Sequence, residues 1–168
     1  RDLTVVILNR PRHADLIREV REAGARIKFI QDGDVAGAIS TAVPEAGVDM
    51  LMGTGGAPEA VLAAAALKCL GGEIQTKLWV RDADDEARAK ASAFDDTSRM
   101  YTSEDLAKGN NIVFCATGIT DGDMLKGVRY NGDRATTDSI VMRARTGTVR
   151  RIQTTHDLSK KTLHSFSA

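Results

Sequence analysis

The chain has 168 residues, enough for one domain with a core of its own. Its 23 basic and 23 acidic side chains cancel, so no net field draws it to nucleic acid or to an anionic membrane. No apolar run approaches the roughly twenty residues of a bilayer span, and no signal-peptide pattern opens the sequence. Cys69 and Cys115 both sit in apolar segments. They read as buried thiols and not as a disulfide framework, which fits a cytoplasmic protein.

Arg1-Asp2-Leu3 leads straight into a strand-like run, as expected of a piece of something longer. Thr4 to Leu8 is continuously apolar and predicts a strand buried on both faces. From His13 to Ala23, Leu16, Ile17 and Val20 recur at helical spacing before Gly24, a natural stop. Arg26 to Ile30 predicts a second strand, Val35 to Ala42 a second helix and Val48 to Met52 a third strand. Pro58 to Leu70 predicts a helix ended by Gly71-Gly72, and Ile74 to Val80 a fourth strand. Such alternation implies a largely parallel sheet covered by helices.

The second half changes character. Asp84 to Ala93 reads as a short charged helix, and Ser103-Glu104-Asp105-Leu106 as the start of another, with Ser103 expected as its cap. Asn111 to Ala116, Gly127 to Tyr130, Ala135 to Arg145 and Thr148 to His156 read as strands. The last three are joined by Asn131-Gly132-Asp133 and Thr146-Gly147, turn sequences that favour hairpins. The expected whole is an α/β domain over residues 1–158: a three-layer mixed sheet with helices on both faces, extended by antiparallel strands at one edge. A polar tail follows over 159–168.

Three polar motifs fall at the carboxyl ends of three successive strands, where open α/β sheets take ligands. The first is Asn9-Arg10-Pro11-Arg12-His13. Two guanidinium forks on a turn stiffened by proline suit a phosphate, although an isolated Arg-Pro-Arg is more simply two solvated arginines. His13, at a helix start, reads as structural and stays outside the candidate set. The second motif is Gln31-Asp32-Gly33-Asp34. One aspartate suits the N-cap of the next helix; alternatively both bind sugar hydroxyls or help place a metal.

The third motif, Gly53-Thr54-Gly55-Gly56-Ala57-Pro58-Glu59, carries the most chemistry. Its glycines let backbone N–H groups approach a ligand, and a helix N-terminus favours an anion. Glu59 sets a carboxylate at the same place. A favourable helix-dipole contact, about 0.3–1 kcal/mol, accounts for the glutamate but not for the glycines beside it. Phosphate and carboxylate sit together comfortably when a divalent cation lies between them. The motif lacks the Gly-Lys-Ser/Thr ending of a P-loop and the spaced glycines and acidic partner of a dinucleotide fingerprint. Asp121-Gly122-Asp123 reads as a turn, with Thr117 and Gly118 as weak pocket-shaping candidates. Arg143, Arg145, Arg150 and Arg151, without interleaved aromatics, read as a solvated sheet face.

Arg10-Pro11-Arg12-His13, Ile30-Gln31-Asp32-Gly33-Asp34-Val35, Gly55-Gly56-Ala57-Pro58-Glu59, Lys68-Cys69-Leu70-Gly71-Gly72 and Ala116-Thr117-Gly118-Ile119-Thr120-Asp121-Gly122 together resemble the C-terminal half of class II fructose-1,6-bisphosphatase. That group includes bacterial enzymes that also accept sedoheptulose 1,7-bisphosphate. The resemblance runs to about His156. It implies the inositol monophosphatase-like sugar-phosphatase fold and Mn2+- or Mg2+-dependent hydrolysis of the 1-phosphate, in gluconeogenesis and glycerol metabolism. By position it makes Glu59 a metal ligand and Arg10, Pro11, Arg12, Asp32, Gly33, Asp34 and Gly56 substrate-binding residues. Catalytic residues and most acidic metal ligands are expected in an N-terminal half of the same enzyme, the chain's main partner beside the sugar bisphosphate. Asn9 stands where the family commonly has Asp, and Ala60 where Gly often follows the glutamate. A homo-oligomer is expected through exposed edge strands. The alternative is a non-catalytic sugar-phosphate-binding module.

Overall fold

The structure is a computed structural model that describes residues 2–92 and 96–161. In chain order it forms β1 (Thr4–Leu8), α1 (Ala14–Glu22), β2 (Arg26–Ile30), α2 (Asp34–Ser40), β3 (Met50–Leu51) and α3 (Ala57–Leu70). There follow β4 (Gln75–Lys77), α4 (Ala83–Lys90), β5 (Met100–Thr102), α5 (Ser103–Leu106), β6 (Val113–Thr117), β7 (Arg129–Asn131), β8 (Arg134–Arg143) and β9 (Thr148–Asp157). Leu158–Lys160 add a 3-10 turn in which Asp157 accepts from Ser159. The rest of the expected tail, and Ala93 at the end of the expected charged helix, lie outside the described residues.

The expected single mixed sheet does not form; there are separate sheets. β2-β1-β3 is parallel, with β1 in the centre. β4 was expected to join it as a fourth parallel strand, but it pairs antiparallel with β5 instead. The remaining strands make an antiparallel sheet around β8. β9 runs along the whole of one β8 edge, while β6 and β7 share the other end to end.

The separation follows from what lies between the sheets. On one face of the parallel sheet, Val5 and Ile7 of β1 pack with Val20 of α1. On the other, Val6, Ile30 and Leu51 lie against Gly37 of α2, where even a Cβ would meet Leu51 at 2.7 Å. α2 and α3 touch through Ala38, which packs against Ala63 and Leu67. Their far side, Ile39, Ala66 and Cys69, packs on Phe114, Ile140 and Met142 of the antiparallel sheet. The order of layers is thus helix, parallel sheet, helix pair, antiparallel sheet. α3 has almost no polar face, as befits a helix packed on both sides, although Leu62 stays exposed. It cannot be the outer layer of one sheet when it is the filling between two.

At its far end α3 is tied down by Lys68. This largely covered side chain donates to the carbonyls of Ala107 (2.9 Å) and Gly109 (2.8 Å) and pairs with Glu104 at 2.7 Å. Cys69 is buried as expected; Cys115 is exposed on the outer face of β6, because strand alternation turns Phe114 and not its neighbour inward. Among the described residues no helix is long and apolar enough to cross a membrane.

Candidate functional site

The carboxyl ends of β1, β2 and β3 bring the three polar loops together. Arg12, Gly33, Asp34, Val35, Gly55, Gly56 and Glu59 line a cleft of about 480 Å³ there. Of the candidates, Arg12, Gly33, Asp34, Gly56 and Glu59 are thus gathered in one place. Arg10, Pro11 and Asp32 do not line the cleft.

The two arginines are held differently. Arg10 donates to the carbonyls of Asn9 (3.0 Å) and, across the loops, Gln31 (2.5 Å), and so braces the end of β1 against that of β2. Arg12 donates its Nε to the carbonyl of Thr54 at 2.8 Å. Its terminal nitrogens have no partner among the described residues, which leaves the flat end of the guanidinium for a ligand. Pro11 begins the 3-10 turn that sets Arg12 and His13 at the strand end.

Asp32, Asp34 and Glu59 carry no hydrogen bond or ion pair among the described residues. Neither aspartate caps α2: its N-cap is Gly33, in the left-handed conformation at φ 82°, and no side chain bonds there. Likewise α3 starts at Gly56 without a side-chain cap, with Pro58 in the first turn. Glycine leaves room for both cleft carboxylates where they stand. A Cβ on Gly55 would lie 2.8 Å from Asp34 Oδ2, and one on Gly56 only 2.1 Å from Glu59 Oε2. The carboxylates occupy the room that side chains would have filled.

Hard carboxylate oxygens of this kind suit Mn2+ or Mg2+. Such ions take about six oxygen ligands. Among the described residues no three His, Cys, Asp or Glu side chains gather closely enough to hold one. Glu59 therefore fits as one ligand of a shared set, not as a complete site.

The other acidic loop is spent on structure, as the sequence suggested. Asp121 accepts from the backbone of Gly127 (2.9 Å) and from Arg129 (2.6 Å), and these bonds, the backbone one foremost, hold its carboxyl below the usual range. Asp123 pairs with Lys28 at 2.5 Å. Thr117 bonds Ser139 across β6 and β8, and Gly118 lies tight against the backbone of Lys126. Arg143, Arg145, Arg150 and Arg151 are all exposed.

Fold and cleft together define an α/β protein with a small polar cleft at the carboxyl edge of its parallel strands, lined by one arginine fork and unpaired carboxylates. Comparison with known proteins makes this specific. A family model described as bacterial fructose-1,6-bisphosphatase, glpX-encoded, matches residues 1–156, and the chain belongs to that family. It is 42% identical over 167 residues to the D-fructose 1,6-bisphosphatase class 2/sedoheptulose 1,7-bisphosphatase of Synechococcus sp. (strain JA-3-3Ab), covering 92% of this chain and 48% of the relative. The protein of the same name in Gloeobacter violaceus (strain ATCC 29082 / PCC 7421) is also 42% identical, over 94% of this chain and 49% of its own length. The chain thus spans about half the length of the curated relatives it matches, and that half is the C-terminal one.

Proposed function

We propose that this chain is the substrate-binding half of a sugar bisphosphatase that hydrolyses the 1-phosphate of fructose 1,6-bisphosphate, and of sedoheptulose 1,7-bisphosphate by the same site. The observation that carries the reading is the pairing, in one cleft, of a guanidinium with free terminal nitrogens and carboxylates that no protein group satisfies. Paired bonds from Arg12 suit a phosphoryl group. Arg10 keeps the Arg-Pro-Arg turn in place, and the unpaired carboxylates of Asp32 and Asp34 accept bonds from sugar hydroxyls. Glu59 holds one side of a divalent cation, Mn2+ or Mg2+, and the other ligands come from residues beyond this chain. When bound, the cation supplies Lewis acidity to the phosphoryl oxygens. The open start of α3 adds backbone N–H groups and a favourable dipole for the same anion. The family fold proposed is that of the inositol monophosphatase group, and the whole protein is proposed to be a cytoplasmic homo-oligomer serving gluconeogenesis and glycerol metabolism.

The absence of a three-ligand cluster among the described residues favours a second reading for the chain taken by itself: it binds sugar phosphates without turning them over. Phosphate release from fructose 1,6-bisphosphate with Mn2+ separates the two. Activity from this chain mixed with the remaining half, and none from the chain alone, supports a divided active site. Binding by calorimetry with no release from the mixture leaves the binding module.

A further inference from the structure

We infer that His13 is a positioning residue that fixes the glycine loop, and through it Glu59, for the chemistry at the cleft. The inference rests on the bisphosphatase reading for its kinetic consequence, but its geometry stands independently. His13 is 2% exposed, one of two buried polar side chains among the described residues. Its Nδ1 lies 2.8 Å from the Leu8 carbonyl, a group that only accepts, so Nδ1 carries the proton. Its Nε2 receives the backbone N–H of Thr54 at 2.8 Å, so that nitrogen presents its lone pair. The two partners assign one neutral tautomer, and the ring becomes a strut between the end of β1 and the loop that follows β3.

Three features make the strut specific to this loop. Gly53 lies against the ring: a Cβ there would meet Cε1 at 3.0 Å and Nε2 at 3.2 Å, so a side chain would force the imidazole away. Thr54 is gripped on both of its backbone polar groups by consecutive residues, the N–H by His13 and the carbonyl by Arg12. The Thr54 carbonyl also lies 3.3 Å from Nε2, but in this tautomer that nitrogen has no proton to give it. Finally, β3 is only two residues long and its last ladder bond is Met52 N–H to Val6. From Gly53 to Gly56 no further strand pairing holds the chain, yet five residues beyond Thr54 stands Glu59. The peptide at Thr54 is where the loop is pinned.

Arg12 and His13 then divide the work. Arg12 pins Thr54 through Nε and keeps its outer nitrogens for the ligand, while His13 touches no part of the cleft and acts only through the loop. Catalytic geometry is steep in position: a displacement of about 1 Å costs on the order of 100-fold in rate.

The test compares His13→Leu with His13→Gln in the full-length protein. The Gln amide offers one donor and one acceptor at a spacing close to that of the two ring nitrogens, whereas Leu offers neither. With fructose 1,6-bisphosphate and Mn2+, Leu is expected to lower kcat/KM of the folded protein about 100-fold and to raise the Mn2+ concentration for half activation, with Gln recovering most of both. Amide exchange at Thr54 is expected to be slow in wild type and Gln, and at least about 10-fold faster in Leu. Unchanged kcat/KM in Leu, or equal losses in Leu and Gln, would overturn the inference. So would a wild-type Thr54 amide that exchanges like a free loop, a measurement that needs no variant to fold. A wild-type protein that releases no phosphate would sink the bisphosphatase reading alone, and the exchange experiment would then decide on His13.

Discussion

The parallel and antiparallel halves of this chain treat their acidic residues in opposite ways. In the antiparallel half, Asp121 is satisfied by Gly127 and Arg129, and Asp123 reaches across to Lys28. At the carboxyl edge of the parallel sheet, Asp32, Asp34 and Glu59 have no protein partner among the described residues, although Arg12 lines the same cleft as Asp34 and Glu59. Arg10 and Arg12 bond backbone carbonyls instead. Carboxylates with partners are consistent with a framework; carboxylates kept apart from a nearby arginine are consistent with a site awaiting a ligand. The comparison is more informative than either loop alone, since Asp-Gly-Asp occurs in both.

The comparison can be broken by changing each half and asking what is lost. The largest effect on folding is expected from Met142→Ala, which empties a fully buried position between the antiparallel sheet and the helix pair. It should cost about 2–5 kcal/mol by denaturant titration while leaving kcat/KM of the folded protein unchanged. Glu59→Gln should do the reverse. Activity of the full-length protein is expected to fall by about 100-fold, with a higher Mn2+ requirement and a melting temperature close to wild type. Mn2+ dependence identical to wild type would remove Glu59 from the metal set.

Gly56→Ala is milder and more discriminating. The backbone at φ −72° accepts alanine, so stability should move by less than about 0.5 kcal/mol. The new Cβ must displace the Glu59 carboxylate, and activity is expected to drop on the order of 10-fold. An alanine variant as active as wild type would show that the carboxylate need not sit where it does.

The smallest effect is a change in pH dependence in the antiparallel half. Asp121 titrates below the ordinary carboxylate value in the fold, so its contribution is complete above that ordinary value and is lost as pH falls through the lower folded one. Melting temperature against pH should therefore drop less steeply on acidification in Asp121→Asn than in wild type. Parallel curves would show that the bonds to Gly127 and Arg129 do not favour the folded carboxylate.

Much of the parallel half was legible because its signals are local. The runs Thr4–Leu8 and Arg26–Ile30 are strands over the residues their apolar pattern marks, and Gly71 ends α3 in the left-handed conformation. The loops that line the cleft could be read for the same reason: strand, glycine, carboxylate and helix start lie within a few residues of one another. Partnership was not legible. The apolar pattern of Ile74 to Val80 says nothing of which strand it meets, and Met100–Thr102, its partner, has no strand signature of its own. The alanine-rich stretch predicted α3 but not the second sheet on its other side. His13 illustrates the same limit, since its importance depends on Thr54, a residue 41 positions away.

α3 has a mechanical consequence beyond packing. It is 14 residues long, about 21 Å, with Glu59 in its first turn and Lys68 in its last. A rod of this kind transmits axial load with little compression. The helix that carries Glu59 at one end is held at the other by the bonds of Lys68 to Ala107, Gly109 and Glu104. That end of the helix is thereby moored to α5 and the segment after it, so the orientation of the rod that presents Glu59 depends on contacts with the second half of the chain.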